Sequence, residues 1–178
     1  MAKAIPVEKN RNYTVDITGL TSEGLGVARI EGFTVFVEGA LAAERAEIKI
    51  VKVLKSYAFG KLLRILKAAD CRIEPSCGVV KRCGGCQLQH MSYEAQLKYK
   101  TLLVRDAVER IGGLKGAVVH DAIGMKDPWR YRNKAQFPVG MDKDVVIGFY
   151  ANRSHEIINT SQCQIQDAVN DNVIQSVR

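Results

Sequence analysis

The sequence predicts a mainly β fold in which a small five-stranded barrel is followed by an α+β domain. Three observations carry this. Five short runs of alternating apolar and polar residues fill the chain before residue 68. Three cysteines then fall within Cys77–Cys86. Past them, a helical pattern leads into further apolar runs. The chain's 178 residues suffice for one medium domain or two small ones. Its 47% apolar content is that of a packed globular protein and excludes wholesale disorder.

Residues 1–10 read as a polar lead. From Arg11 the chain alternates, with Tyr13, Val15 and Ile17 on one side and Thr14, Asp16 and Thr18 on the other. Residues 19–26 are turn-rich. Val27–Ile30 and Phe33–Val37 form a predicted hairpin around Glu31-Gly32. Alternation returns over Glu44–Val53, with Ala46, Ile48 and Ile50 inward, and Tyr57–Leu66 completes the set. Five short strands in so few residues predict a closed or nearly closed barrel, because closure hides the strand edges.

The charge balance is +7, with a pI near 9.2. Such an excess favours a polyanionic partner, nucleic acid first. It is concentrated in 44–67, where Arg45, Lys49, Lys52, Lys55, Lys61, Arg64 and Lys67 face only Glu44 and Glu47. These cations are the solvent side of amphipathic strands, and their clustering makes Lys49, Lys52, Lys55, Lys61 and Arg64 candidate RNA-phosphate contacts. The N-terminus lacks a signal-peptide core, and no apolar run approaches the ~20 residues of a membrane span. The expected location is therefore the cytoplasm, away from membranes, where clustered cysteines bind metal more often than they form disulfides.

Lys67–Pro75 reads as a linker. Cys83-x-x-Cys86 suits a tight loop that turns two sulfurs toward one centre, with Cys77 close by. A fourth ligand must come from elsewhere, from Cys163 downstream or Cys71 upstream. Four thiolates serve tetrahedral zinc or an iron–sulfur cluster. His90 reads as a hydrogen-bonded structural residue more readily than as a ligand. Ser92 is placed to cap a helix over 93–111, with Leu97, Val104, Val108 and Ile111 at helical spacing, Leu103 and Ala107 widening the stripe, and Gly112-Gly113 ending it. That stripe is expected to pack on the surface of a protein partner and, where that partner is missing, to be partly exposed or to mediate self-association. Ala117–Val119, Lys134–Val139, Val145–Tyr150 and Glu156–Ile158 read as strands of a second sheet, with a hairpin turn at 141–144. Trp129-Arg-Tyr-Arg-Asn-Lys134 interleaves aromatics with cations, which makes Arg130, Arg132 and Lys134 further candidate RNA contacts. Asp167 is placed to cap a final helix carrying Ala168, Val169, Val173, Ile174 and Val177.

Two stretches carry a family resemblance. Thr-x-Glu-Gly-Leu-Gly-Val-Ala-Arg (21–29), followed by Phe-Thr-Val-Phe-Val-Glu-Gly-Ala (33–40), resembles a TRAM domain, a small OB-like RNA-binding barrel. Cys77-x5-Cys83-x2-Cys86, then Gln87-Leu-Gln89-His90 and Tyr93-x-x-Gln96-Leu97-x-x-Lys100, resembles the iron–sulfur segment of bacterial RNA uracil-5-methyltransferases that act on 23S ribosomal RNA. Ile147-Gly-Phe-Tyr150, Ser154-His-Glu-Ile157 and Cys163 follow in the same order as in that family.

The resemblance implies a TRAM barrel over 1–68 and an iron–sulfur, RNA-contacting central domain over 69–178. It implies a [4Fe-4S] cluster on Cys77, Cys83, Cys86 and Cys163, with Cys71 left as a free thiol. With every iron held by protein, the cluster would act as a staple rather than a catalyst. The family transfers a methyl group from S-adenosylmethionine to C5 of uracil: a cysteine attacks C6 and a base later removes the C5 proton. The family's cofactor sheet and catalytic residues belong to a C-terminal domain, and this sequence has neither a Gly-rich cofactor loop nor the nucleophile motif. No catalytic or S-adenosylmethionine-binding residue is therefore assigned, and this chain is expected to bind 23S rRNA and a cluster without methylating. The competing readings are a stand-alone RNA-binding module with structural zinc and a TRAM-containing tRNA-modifying protein. The tRNA methylthiotransferases, which also join a TRAM module to iron–sulfur chemistry, use C-x3-C-x2-C, whereas the first gap here is five residues.

Overall fold

Strands β1 (Asn12–Leu20), β2 (Gly26–Ile30), β3 (Phe33–Glu38), β4 (Arg45–Val53) and β5 (Tyr57–Lys67) close into a barrel in the order β1-β2-β3-β5-β4, with β4 returning to β1. This computed structural model describes residues 5–178, so the first four residues of the polar lead lie outside it. All barrel pairings are antiparallel except β3 with β5. The alternation works as the pattern requires: Val15, Ile17, Ala28, Val35, Val37, Ala46, Ile48, Ile50 and Ala58 are buried together inside. Gly60 keeps the interior open, since a Cβ there would lie 2.8 Å from Ile48 Cδ1. Glu31 and Gly32 both take positive φ, 48° and 81°, as a two-residue hairpin turn matched to strand twist demands.

The chain divides into two compact units. The first runs through the barrel to Ile73 and includes His90–Ser92. Ile73 N–H donates to His90 O at 3.0 Å, and Ser92 N–H to Cys71 O at 2.8 Å. Glu44 ties this extension to the barrel. Its carboxylate is 1% exposed and accepts from Leu41 N–H at 2.8 Å, from Arg72 Nη2 at 2.8 Å, and from Arg72 Nε. Arg72 Nη2 also donates to Gly39 O at 2.7 Å.

The second unit comprises Glu74–Gln89 and Tyr93–Arg178. It holds α1 (Tyr93–Asp106), a π-helical turn over Ala107–Ile111, a three-stranded antiparallel sheet of β6 (Val139–Met141), β7 (Val145–Tyr150) and β8 (Ile157–Asn159), and α2 (Ala168–Val177). Asp167 caps α2, its side chain accepting from Val169 N–H at 2.9 Å.

Three expectations need correction. The α-helix ends at Asp106 and continues to Ile111 only as the π turn. Part of its apolar stripe is exposed, as the sequence allows where the partner surface is missing: Val104 is exposed, Ile111 is 88% exposed, and Thr101 is the helix's one buried residue. Ala117–Val119 forms no strand. The chain just beyond follows α1 through side-chain bonds instead, with Ala122 N–H donating to Thr101 Oγ1 at 2.8 Å and Met125 N–H to Tyr93 Oη at 2.8 Å. Lys134–Val139 is a strand only from Val139. Upstream, Arg130 and Arg132 spend their backbone bonds on 164–167 (Arg130 N–H to Gln164 O at 3.0 Å, Arg132 N–H to Ile165 O at 2.9 Å), and Pro138 offers no N–H to a ladder.

Candidate metal centre and nucleic-acid interface

Cys77, Cys83 and Cys86 lie on the loop 77–86, and the sheet holds that loop. Gly84 N–H donates to Tyr150 O at 3.2 Å, Asn152 N–H donates to Arg82 O at 2.9 Å, and Cys83 bridges Ala151. A Cβ on Gly84 would meet Asn152 Cα and Tyr150 O, each at 3.5 Å, so the loop lies close against the end of β7. An Arg82–Glu156 ion pair adds a tie.

Cys163 is brought in by residues that no local pattern marks. Ser76 Oγ donates to Gln164 Oε1 at 2.6 Å, and Gln164 Nε2 returns a bond to Ser76 O at 3.3 Å. The two neighbours of Cys77 and Cys163 thus clasp each other across 88 positions. Asp171 of α2 accepts from Cys163 N–H at 2.9 Å, while Arg130 Nη1 donates to Cys163 O at 3.0 Å, to Gln166 O at 3.2 Å, and to Asp171.

Two of the four thiols, Cys83 and Cys86, are pushed in the same direction. Burial pushes the Cys83 thiol up, the Gly85 N–H opposes this, and charge on Cys163 and Cys77 pushes it further. Burial also pushes Cys86 up, opposed by a bond from the Gln89 side chain, with Cys163, Cys83 and Cys77 adding to the rise. Desolvation and mutual repulsion both disfavour bare thiolates, and a bound cationic centre removes both penalties. Four cysteines are the donor type that an iron–sulfur cluster takes. Among the described residues, no three His, Cys, Asp or Glu side chains gather closely enough to hold a single ion. All five cysteines are free thiols.

In the first unit, burial and then the charge of Arg72 lower the pKa of His90 to about 4, against a smaller rise from Glu44. The imidazole is neutral at physiological pH, and its Nε2 is buried without a hydrogen bond.

The candidate RNA contacts divide by strand and loop. Lys52 and Lys61 are exposed on β4 and β5, and Lys55 is exposed on the turn between them. Lys49 is half-buried, and Arg64 pairs with Glu47 at 2.6 Å. On 130–134, Arg132 and Lys134 are exposed, whereas Arg130 is committed to the Cys163 segment. No helix among the described residues is long and apolar enough to cross a membrane.

Residues 6–63 match the TRAM domain family. The chain is 49% identical over 97% of its length to an uncharacterised RNA methyltransferase of Halalkalibacterium halodurans, and 49% identical over its whole length to another of Clostridium tetani. It spans only 38% and 39% of those relatives. Among solved structures, it is similar over 92% of its length to a Pyrococcus abyssi tRNA (uracil-54, C5)-methyltransferase in complex with S-adenosyl-L-homocysteine, with a TM-score of 0.59 at 22% identity, and covers 35% of that chain. The last likeness is one of fold.

Proposed function

We propose that this chain, which carries a TRAM domain and aligns almost throughout with RNA methyltransferases, is the RNA-recognition and iron–sulfur part of a methyltransferase that modifies C5 of uridine in 23S rRNA. The observation that carries the proposal is a TRAM barrel with a basic β4–β5 wall, in a chain alignable almost throughout with RNA methyltransferases. On this reading the barrel holds RNA for a catalytic domain supplied by the rest of the parent protein. The parent works in the cytoplasm and uses S-adenosylmethionine, which supplies the methyl group. These 178 residues alone bind RNA without methylating it.

Cys77, Cys83, Cys86 and Cys163 would hold a [4Fe-4S] cluster, which supplies a rigid crosslink between the 77–86 loop and the segment before α2. The reciprocal Ser76–Gln164 clasp, which ties the neighbours of Cys77 and Cys163 together, supports this, and so does the influence of the other cysteines on Cys83 and Cys86. A cluster sets its thiolates on four separate irons, so it needs no three donors gathered round one ion, as zinc does.

The test is RNA affinity against salt. Neutralising phosphates releases counterions, so log K should fall linearly with log salt, and replacing Lys52 and Lys61 with Gln should flatten the slope by about 1.4 for single-stranded RNA. Affinity that stays constant as salt rises contradicts the basic-wall argument.

A further inference from the structure

Phe36 of β3 and Tyr57 and Phe59 of β5 stand together on the outer wall of the barrel. Their neighbours Val35, Val37 and Ala58 are buried inside, and alternation turns the three rings outward, where they remain half-exposed. The ring centroids lie 5.4 Å apart for Phe36–Tyr57, 5.9 Å for Phe36–Phe59 and 5.6 Å for Tyr57–Phe59. Parallel pairing sets Phe36 beside Phe59 and Thr34 beside Tyr57. On the other side of β5, Lys52 sits opposite Phe59, and Lys49 opposite Lys61. Glu38 lies across from Lys61 on β3 and bounds the basic side.

Cross-strand aromatic pairs stabilise a sheet by mutual contact alone. That account leaves unexplained why the cluster faces outward and adjoins three lysines. Flat π faces next to flexible cations are what an unpaired nucleotide strand requires: rings on which bases stack, and ammonium groups that follow the phosphates. A duplex keeps its bases stacked internally and cannot use the rings.

We propose that Phe36, Tyr57 and Phe59 form a base-stacking platform for single-stranded RNA, with Lys49, Lys52 and Lys61 tracking the adjoining backbone. The proposal rests on the RNA-binding reading and narrows it to unpaired RNA on the β3–β5–β4 wall.

The test titrates the full 178-residue chain with an oligouridine of about ten nucleotides, a duplex RNA of equal length, and inorganic polyphosphate. The wild-type chain should bind oligouridine more tightly than polyphosphate. Phe36→Leu, Tyr57→Leu and Phe59→Leu should each weaken oligouridine binding roughly tenfold. They should leave polyphosphate binding and the salt slope unchanged, and Tyr57→Phe should retain affinity. Ring-proton NMR shifts of the three side chains in the wild-type chain, moving upfield with added oligouridine, give a readout that needs no variant to fold. Wild-type affinity in folded leucine variants, or unmoved ring signals, overturns the platform and leaves RNA binding intact. A wild-type chain that binds neither RNA at low salt overturns the RNA-binding reading itself, and the platform with it.

Discussion

Arg72→Ala removes the partner of a carboxylate that water does not reach. Breaking such a pair strands a buried charge, so the variant should lose about 3 kcal/mol in urea unfolding, far more than loss of the exposed Arg64–Glu47 pair. The same cluster sets the acid limit of the first unit. Burial raises the Glu44 carboxyl, but bonds from Arg72 and Leu41 and the charge of Arg72 outweigh it, leaving the group below 4.5. Its contribution is present at neutral pH and is lost as pH falls through that depressed value. His90, held near 4 against 6.5 in the unfolded chain, acts in the same direction, because below 6.5 the unfolded state binds the proton first. Stability should therefore decline from about pH 6.5 downward and steepen below 4.5, and His90→Gln should remove the upper part of the decline. Of this, only the structural role of His90 was legible in the sequence, and its Nε2 makes no hydrogen bond although one was expected of the side chain. Glu44 reads there as one of two acids in a basic stretch, and its partner lies 28 positions away in a segment that reads as linker.

At the scale of elements, the barrel strands were legible because each has one wet and one dry face, so period-two alternation marks both their extent and their inward residues. The second unit was less so. Its short runs are tied down by isolated bonds to distant segments, and those bonds leave no periodic trace. The same holds for the cysteine site, where Ser76, Gln164, Arg130 and Asp171 position Cys77 and Cys163 and only the cysteines themselves were conspicuous. Arg130 has a role that its local pattern does not reveal: it sits beside Trp129 and Tyr131 as a candidate nucleic-acid contact, and its guanidinium also holds the Cys163 carbonyl. Gly148 gives an element-scale test. A Cβ there would lie 1.8 Å from Ile158 O, in the β7–β8 ladder. Gly148→Ala should force the strands apart and cost about 3 kcal/mol. Protection of β7 and β8 amides from hydrogen exchange should fall while that of the barrel stays unchanged.

Across the whole molecule, a basic barrel and a four-cysteine unit occur in one chain, which aligns over 97% of its length with an RNA methyltransferase. A crosslink through Cys77, Cys83, Cys86 and Cys163 would join the loop to the segment before α2 far more firmly than the Ser76–Gln164 clasp does alone. The most direct measurement is metal and sulfide content with a visible spectrum, on protein purified without exposure to oxygen. About four irons and four sulfides per chain with broad visible absorption are predicted, lost in Cys77→Ser, Cys83→Ser, Cys86→Ser or Cys163→Ser and retained in Cys71→Ser. A colourless protein with one zinc and no iron would contradict the cluster, while leaving the basic barrel and its RNA to be judged separately.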